Sequence, residues 1–93
     1  MKPTPELLQA IKKYRSGNAK EKNKAFDVIY SESYKYIYTC VYRAVSGNDN
    51  EQDIIKEVMQ ETYIEICKSF EQLKDDEAFL SWGARIAVTG ENY

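Results

Sequence analysis

The chain has 93 residues, of which 43% are apolar and 30% are charged, and its formal net charge is −2. This length suits one small domain, and the apolar fraction excludes a disordered chain. A simple groove binder of duplex DNA is also disfavoured, because such proteins are usually basic. The four Gly and two Pro leave long stretches free of helix breakers. We therefore predict an all-α fold, a compact bundle of three to four helices.

The charges are distributed unevenly along the chain. Basic residues crowd the first quarter, whereas acidic residues crowd the third quarter, from Asp49 to Glu77. An acidic third helix suits a basic protein partner better than it suits phosphate. The N-terminal segment has no long apolar run, so neither a signal peptide nor a transmembrane span is predicted. A cytoplasmic location is expected.

Cys40 and Cys67 are the two cysteines, and both fall on apolar faces of predicted helices. We expect two buried, reduced thiols rather than a disulfide, as is usual in the cytosol. The chain contains no His, which argues against a zinc site.

The first predicted helix spans residues 5–16. Thr4 and Pro5 are residue types preferred at the N-cap and at the first helical position. The simplest interpretation is that this helix covers the core and exposes a solvated basic face. The alternative is that its basic residues contact the DNA backbone or an acidic partner; these residues are Lys12, Lys13 and Arg15.

The second predicted helix spans residues 20–46, a stretch without Gly or Pro. Helical spacing predicts one buried stripe along it. The stripe comprises Phe26, Ile29, Tyr30, Ser33, Ile37, Cys40, Val41 and Ala44. The tyrosines between residues 34 and 42 are spread around the helix, so some of their rings are expected at the surface.

A turn over residues 46–50 leads to the third predicted helix, residues 50–69, with Asp49 or Asn50 as its cap. Apolar spacings of three and four predict a core face, formed by Ile55, Val58, Met59, Thr62, Ile66 and Phe70. A second stripe is polar apart from one isoleucine and predicts an outer face, formed by Glu57, Gln60, Glu61, Ile64 and Lys68. Burial of Gln60 and Glu61, or exposure of Val58 and Ile66, would contradict this two-faced helix.

A polar loop over residues 72–76 precedes the last predicted helix, residues 77–88. Asp75 or Asp76 is placed to cap this helix. The segment Thr89-Gly90-Glu91 marks its expected end.

Two motifs follow each other in this half of the chain. Residues 57–64 read EVMQETYI, in which an acidic and two apolar residues precede Gln-Glu, a small residue, an aromatic and an apolar residue. Phe79, Trp82, Ile86 and Ala87 then form a Phe-x-x-Trp-x-x-x-Ile-Ala pattern. In this order and separation, the motifs resemble region 2 of bacterial sigma factors of the extracytoplasmic-function group. The resemblance covers roughly residues 24–87.

The resemblance implies a transcription initiation factor module that catalyses no reaction. In sigma factors, the third helix docks on the clamp helices, a coiled coil in the largest subunit of RNA polymerase. The matching residues here are Glu57, Gln60, Glu61 and Ile64. An anti-sigma factor is a further candidate partner.

The resemblance also implies a role on promoter DNA. In the family, the last helix and the loop before it engage the −10 element as a single strand, with a base held in a pocket. The candidates here are the loop over residues 70–76 and the helix residues Ser81, Trp82 and Arg85. Trp82 is also expected to pack in the core, and Arg85 either contacts phosphate or pairs with Glu77 or Ser81. The loop carboxylates would repel phosphate unless they read a base edge or cap the helix.

The sequence departs from the family after Ala87. The family continues with an Asn and a helix dense in Arg and Asp, whereas this chain continues Val-Thr-Gly-Glu-Asn-Tyr. Residues 1–93 are therefore expected to form a single sigma region 2-like domain, truncated at its C-terminal end. The domain that reads the −35 element is not expected within them. A fragment of a longer factor, a truncated product and a reduced relative all fit this pattern.

Two other classes of function remain open from the residues. A small helical protein-interaction adaptor without promoter binding would use the same outer face. An enzyme would have to rely on carboxylates along one side of the third helix, namely Glu57, Glu61 and Glu65. A dinuclear metal bundle normally adds His ligands, and the chain shows no Gly-rich phosphate loop and no Ser/His or Cys/His set. We predict no catalysis, no cofactor and no bound metal.

Overall fold

Four α-helices and two short 3₁₀ turns make up the computed structural model, which describes residues 2–47 and 49–89. The helices are α1, Pro5–Ser16; α2, Ala19–Val45; α3, Glu51–Ser69; and α4, Phe79–Thr89. The 3₁₀ turns Phe70–Gln72 and Asp76–Ala78 lie between α3 and α4. Within the described ranges no strand occurs. The predicted all-α bundle is confirmed, and each predicted helix end lies within about two residues of the observed one.

Local signals explain where the first two helices begin. The Thr4 hydroxyl accepts a hydrogen bond from the backbone N–H of Leu7, and Pro5 opens α1, as predicted. At the start of α2, the Asn18 side chain accepts from the N–H of Glu21, whose carboxylate accepts from the N–H of Asn18. This reciprocal pair satisfies two N–H groups that would otherwise lack partners at the helix end.

The turn between α2 and α3 departs from the predicted capping pattern. Asn50 occupies the N-cap position, but its side chain makes no capping hydrogen bond. The Glu51 carboxylate instead accepts from the N–H of Gly47 at 3.2 Å. Gly47 has a φ of 96°, a backbone conformation that residues with a Cβ rarely adopt. At the other end of the chain, the ending predicted at Thr89-Gly90-Glu91 lies outside the described residues from Gly90 onward.

The central helix is α2, which packs against α1, α3 and α4. Its buried residues are Ala25, Ile29, Ser33, Ile37, Val41 and Val45. The predicted stripe is wrong at Tyr30 and Ala44, both exposed, because Ile29 and Val45 beside them occupy the positions that face the neighbouring helices. The Tyr30 ring covers the rim of the core, with its centroid 4.6 Å from that of Tyr63.

Both thiols are free, but their predicted burial is wrong. Cys67 is exposed, and Cys40 is only half-buried. Cys67 directly follows the buried Ile66, and a helix turns by roughly 100° per residue, which carries the thiol out of the core.

α4 lies close to the centre of the bundle because Gly83 has no side chain. A Cβ at Gly83 would lie 3.1 Å from Cδ1 of Ile37 on α2 and 3.5 Å from Cδ1 of Ile66 on α3. The backbone of α4 therefore packs directly on these two isoleucines. This close approach positions the outer side of α4 next to the loop that follows α3.

Candidate functional site

The outer face of α3 is the first candidate site. All four predicted docking residues are exposed: Glu57, Gln60, Glu61 and Ile64. We call this set the docking face. Val58 and Ile66 on the other side of α3 are buried, so the predicted two-faced helix is confirmed.

Ile64 is the apolar centre of the docking face, and half of its surface is exposed, at 50%. Gln60 and Glu61 precede it by four and three residues, and Glu57 by seven, so all lie along the same side of the helix. Carboxylates and an amide beside an exposed aliphatic side chain can accept charge-assisted hydrogen bonds from basic groups.

The rotation of α3 about its axis is fixed by a buried hydrogen bond that the sequence analysis did not identify. Tyr63 is buried, and its hydroxyl lies 2.7 Å from the Ser33 hydroxyl of α2. The Ser33 hydroxyl donates to the carbonyl of Ile29 at 2.6 Å, which leaves its oxygen to accept from Tyr63. Because Tyr63 directly precedes Ile64, this bond helps to hold the docking face outward. The signal in the sequence is a serine inside an otherwise apolar stripe.

Alkaline pH is expected to destabilise the fold through Tyr63. Burial raises the pKa of Tyr63 from 10.0 to about 12. The folded state therefore keeps its proton between these two values, while the unfolded state loses it, so the free energy of unfolding falls as pH rises from 10 to 12. Urea denaturation at a series of pH values measures this fall. Tyr63→Phe, which removes the titrating group, should show a shallower fall; an equally steep fall in both proteins would contradict the assignment.

An open surface depression between the α3–α4 loop and α4 is the second candidate site. Its volume of about 270 Å³ is slightly below the range of about 300–1,000 Å³ that is usual for small-molecule pockets. The lining residues are Gln72, Leu73, Lys74, Asp75, Ala78, Ser81, Trp82 and Arg85. We call this depression the loop pocket. It brings together all three predicted DNA-binding residues of the last helix with four residues of the predicted DNA-binding loop.

Trp82 contributes to both the core and the loop pocket. Its ring is half-buried, with centroids 6.1 Å from Phe70 and 6.0 Å from Phe79. The predicted packing role is therefore confirmed, and Trp82 is also among the residues that line the pocket. An aromatic side chain is a residue type on which a nucleobase can stack.

The side chains of Arg85 and Ser81 differ in whether their polar atoms already have hydrogen-bond partners within the protein. Arg85 is exposed, and its guanidinium has no hydrogen-bond or ion-pair partner among residues 2–47 and 49–89. The predicted alternative, in which Arg85 pairs with Glu77 or Ser81, is wrong. The Ser81 hydroxyl donates to the carbonyl of Ala78 at 3.1 Å, so its oxygen can still accept a hydrogen bond.

Two of the three loop carboxylates are engaged inside the protein. Asp75 accepts from the N–H of Glu77 at 3.0 Å and caps the turn before α4, as predicted. Asp76 forms an ion pair with Arg15 at 2.9 Å, a contact that no pattern in the sequence predicts. Glu71 is exposed. The expected repulsion of phosphate by this loop is therefore reduced.

Two further features bear on alternative functions. In the described part of the chain, no three Cys, Asp or Glu side chains are grouped so as to hold a metal ion. None of the described helices has both the length and the apolar character that crossing a membrane requires.

Comparison with known proteins points to one class, the RNA polymerase sigma factors. The chain is 37% identical over 71 residues to the ECF RNA polymerase sigma-E factor of Haemophilus influenzae. The matched segment is 75% of this chain, and it corresponds to 35% of that relative, so the chain spans about a third of its length. No family model and no solved structure matches the chain. The similarity supports a sigma factor relationship and a link to transcription initiation.

Proposed function

We propose that residues 1–93 form a sigma region 2-like module that docks on RNA polymerase and helps to open the promoter −10 element. The observation that carries this proposal is the presence, on one small bundle, of both an exposed docking face and the loop pocket. A general helical adaptor would need only the first of these. The similarity to a sigma factor favours the same choice.

The docking face is proposed to contact the clamp helices of the largest polymerase subunit. Glu57 and Glu61 can accept charge-assisted hydrogen bonds from basic side chains, and Gln60 can both donate and accept. Ile64 would then be buried at the centre of the contact. Because α3 is held by the core on its other side, little conformational freedom would be lost on binding.

The loop pocket is proposed to hold a base of the −10 element after it leaves the duplex stack. Trp82 offers a stacking surface, and Ser81 offers an acceptor near the base edge. The guanidinium of Arg85, which has no partner within the described ranges 2–47 and 49–89, is available for a phosphate or a base edge. A site of this kind relies on shape and stacking, which is compatible with the net charge of −2.

The module would act in the bacterial cytoplasm, where RNA polymerase is found, and it would act through binding energy alone. An anti-sigma factor that covers the docking face or the loop pocket would block it. Neither role needs a cofactor.

Binding to the clamp helices tests the proposal directly. Gln60→Ala combined with Glu61→Lys is expected to weaken binding by about tenfold, because it removes two polar contacts and reverses one charge. Titration calorimetry against the isolated clamp-helix coiled coil measures this change. The matched control, Gln9→Ala with Glu71→Lys, makes the same two substitutions at exposed positions outside the docking face. Equal affinity of both variants and the native chain would refute the docking role.

A further inference from the structure

Arg15, in the last turn of α1, makes three contacts with the segment that follows α3. Its Nε and one terminal nitrogen lie 3.0 and 2.9 Å from the same carboxylate oxygen of Asp76. That terminal nitrogen also donates to the backbone carbonyl of Leu73 at 2.6 Å. The guanidinium carbon lies 5.2 Å from the centroid of the Phe70 ring. One side chain thus joins α1 to three points of a loop that is about 60 residues away in sequence.

Each residue that Arg15 contacts either lines the loop pocket or lies beside a lining residue. Leu73 is itself a lining residue, and its carbonyl is fixed by Arg15. Phe70 makes an edge-to-face contact with Trp82, another lining residue, with ring centroids 6.1 Å apart. Asp76 begins the 3₁₀ turn that leads into the lining residue Ala78. Backbone hydrogen bonds hold the two ends of residues 73–75, from the Leu73 N–H to the Phe70 carbonyl at 3.1 Å and from the Ala78 N–H to the Asp75 carbonyl at 2.9 Å. The Leu73 carbonyl is bonded by the Arg15 side chain, so the orientation of this peptide depends in part on Arg15.

Arg15 also affects the charge near the loop pocket, because it pairs with the carboxylate of Asp76. Asp76 would otherwise be an unpaired carboxylate close to a site proposed for nucleic acid. Arg15 neutralises it while lying partly exposed, at 33% of its side-chain surface. The two effects, positioning and charge neutralisation, can be separated by substitution.

We propose that Arg15 is a positioning residue that keeps the loop pocket formed, so that α1 sets the shape of the base-binding site without touching the base. The part of this inference that concerns a base rests on the proposed function. Phosphate binding by Arg15 itself is the competing explanation, and it is disfavoured because two of the three guanidinium nitrogens already have partners.

The shape of the pocket can be tested in the free chain, without DNA. Arg15→Met is expected to speed amide hydrogen exchange at Leu73, whose N–H bonds the Phe70 carbonyl, by about tenfold and to make Trp82, the single tryptophan, easier to quench with acrylamide. Lys12→Met, which removes the same charge three residues earlier on α1, should leave both readouts at native values. Arg15→Lys keeps the charge, but an ammonium group cannot bond Asp76 and the Leu73 carbonyl in one plane. Its exchange rate and its quenching should therefore lie between those of Arg15→Met and those of the native chain. Native exchange and quenching in Arg15→Met would overturn the inference.

A second experiment measures DNA binding: the fluorescence anisotropy of labelled single-stranded dT, dA and dC oligonucleotides is recorded as the protein is added. Arg15→Met is expected to bind about tenfold more weakly than the native chain, and Arg15→Met with Asp76→Asn should remain weak. Full recovery in that double variant would show that Arg15 acts only by neutralising Asp76, which overturns the positioning role. If the native chain binds none of the three oligonucleotides, the proposed DNA role is wrong, while exchange at Leu73 still decides whether Arg15 shapes the pocket.

Discussion

Phe79→Ala is expected to lower the free energy of unfolding by about 3–5 kcal/mol, the largest loss of any single substitution considered. Phe79 has no exposed surface, and it opens α4. Its ring centroid lies 6.0 Å from those of both Phe70 and Trp82. Removing the ring would leave a cavity between α4 and the loop after α3. Since small domains are stable by only about 5–15 kcal/mol, the variant would be close to unfolding.

Urea denaturation followed by far-ultraviolet circular dichroism measures this loss, and Trp82 fluorescence reports on the same cluster. Phe79→Leu is the matched control, because it keeps most of the apolar volume and should cost clearly less than the alanine variant. A loss below about 1 kcal/mol for Phe79→Ala would mean that α4 is held by other contacts.

The helices could be predicted from sequence because their signals are local. Thr4 and Pro5 mark the start of α1 through the chemistry of the first helical turn. α2 extends from Ala19 to Val45 without a breaker, and α3 shows apolar spacings of three and four. Such signals require no knowledge of which elements meet in space. The exposed outer face of α3 could be predicted for the same reason, since one helix contains both its faces, whereas its docking role comes from the family resemblance and stays a proposal.

Side chains near the edge of a buried stripe were harder to predict. Tyr30 and Cys67 each lie one residue from a fully buried isoleucine, and both proved exposed. A helix turns roughly 100° per residue, so a small rotation decides whether such a neighbour is buried. That rotation depends on contacts between helices, here the Tyr63–Ser33 hydrogen bond among them. No periodicity within one helix contains this information.

The loop pocket could not be predicted from local patterns either, because its residues come from separate parts of the chain. The family resemblance points to Ser81, Trp82 and Arg85, and the structure brings them together with the loop. Arg15 was grouped with the basic face of α1, yet it reaches Asp76 and Leu73 across the bundle. An ion pair between residues about 60 positions apart leaves no local trace in a sequence rich in both charges. Only the packed structure shows that α1 and the pocket are connected.

Ile64→Glu is expected to weaken binding to the clamp helices by about 30- to 100-fold, more than the polar double variant. Ile64 is 50% exposed in the free chain, so docking can still bury half of an aliphatic side chain. Glutamate loses this apolar contact and brings a third carboxylate to the docking face, one helical turn from Glu61. Its charge would also lose water at the centre of the interface, which is unfavourable unless a basic group pairs with it. The stability of the free chain should barely change, because an exposed position on a helix tolerates glutamate.

The matched control is Val28→Glu, which places the same charge on another exposed aliphatic residue, 39% exposed on α2. Val28→Glu should bind the clamp helices as the native chain does, and both variants should keep the native midpoint of thermal unfolding.

Affinities measured by calorimetry distinguish the possible causes of weaker binding. Loss in both variants would indicate that net charge governs binding, because each variant lowers it by one. Loss in neither would place the contact outside the docking face. Loss in Ile64→Glu alone is the result that a specific apolar contact at the centre of α3 requires.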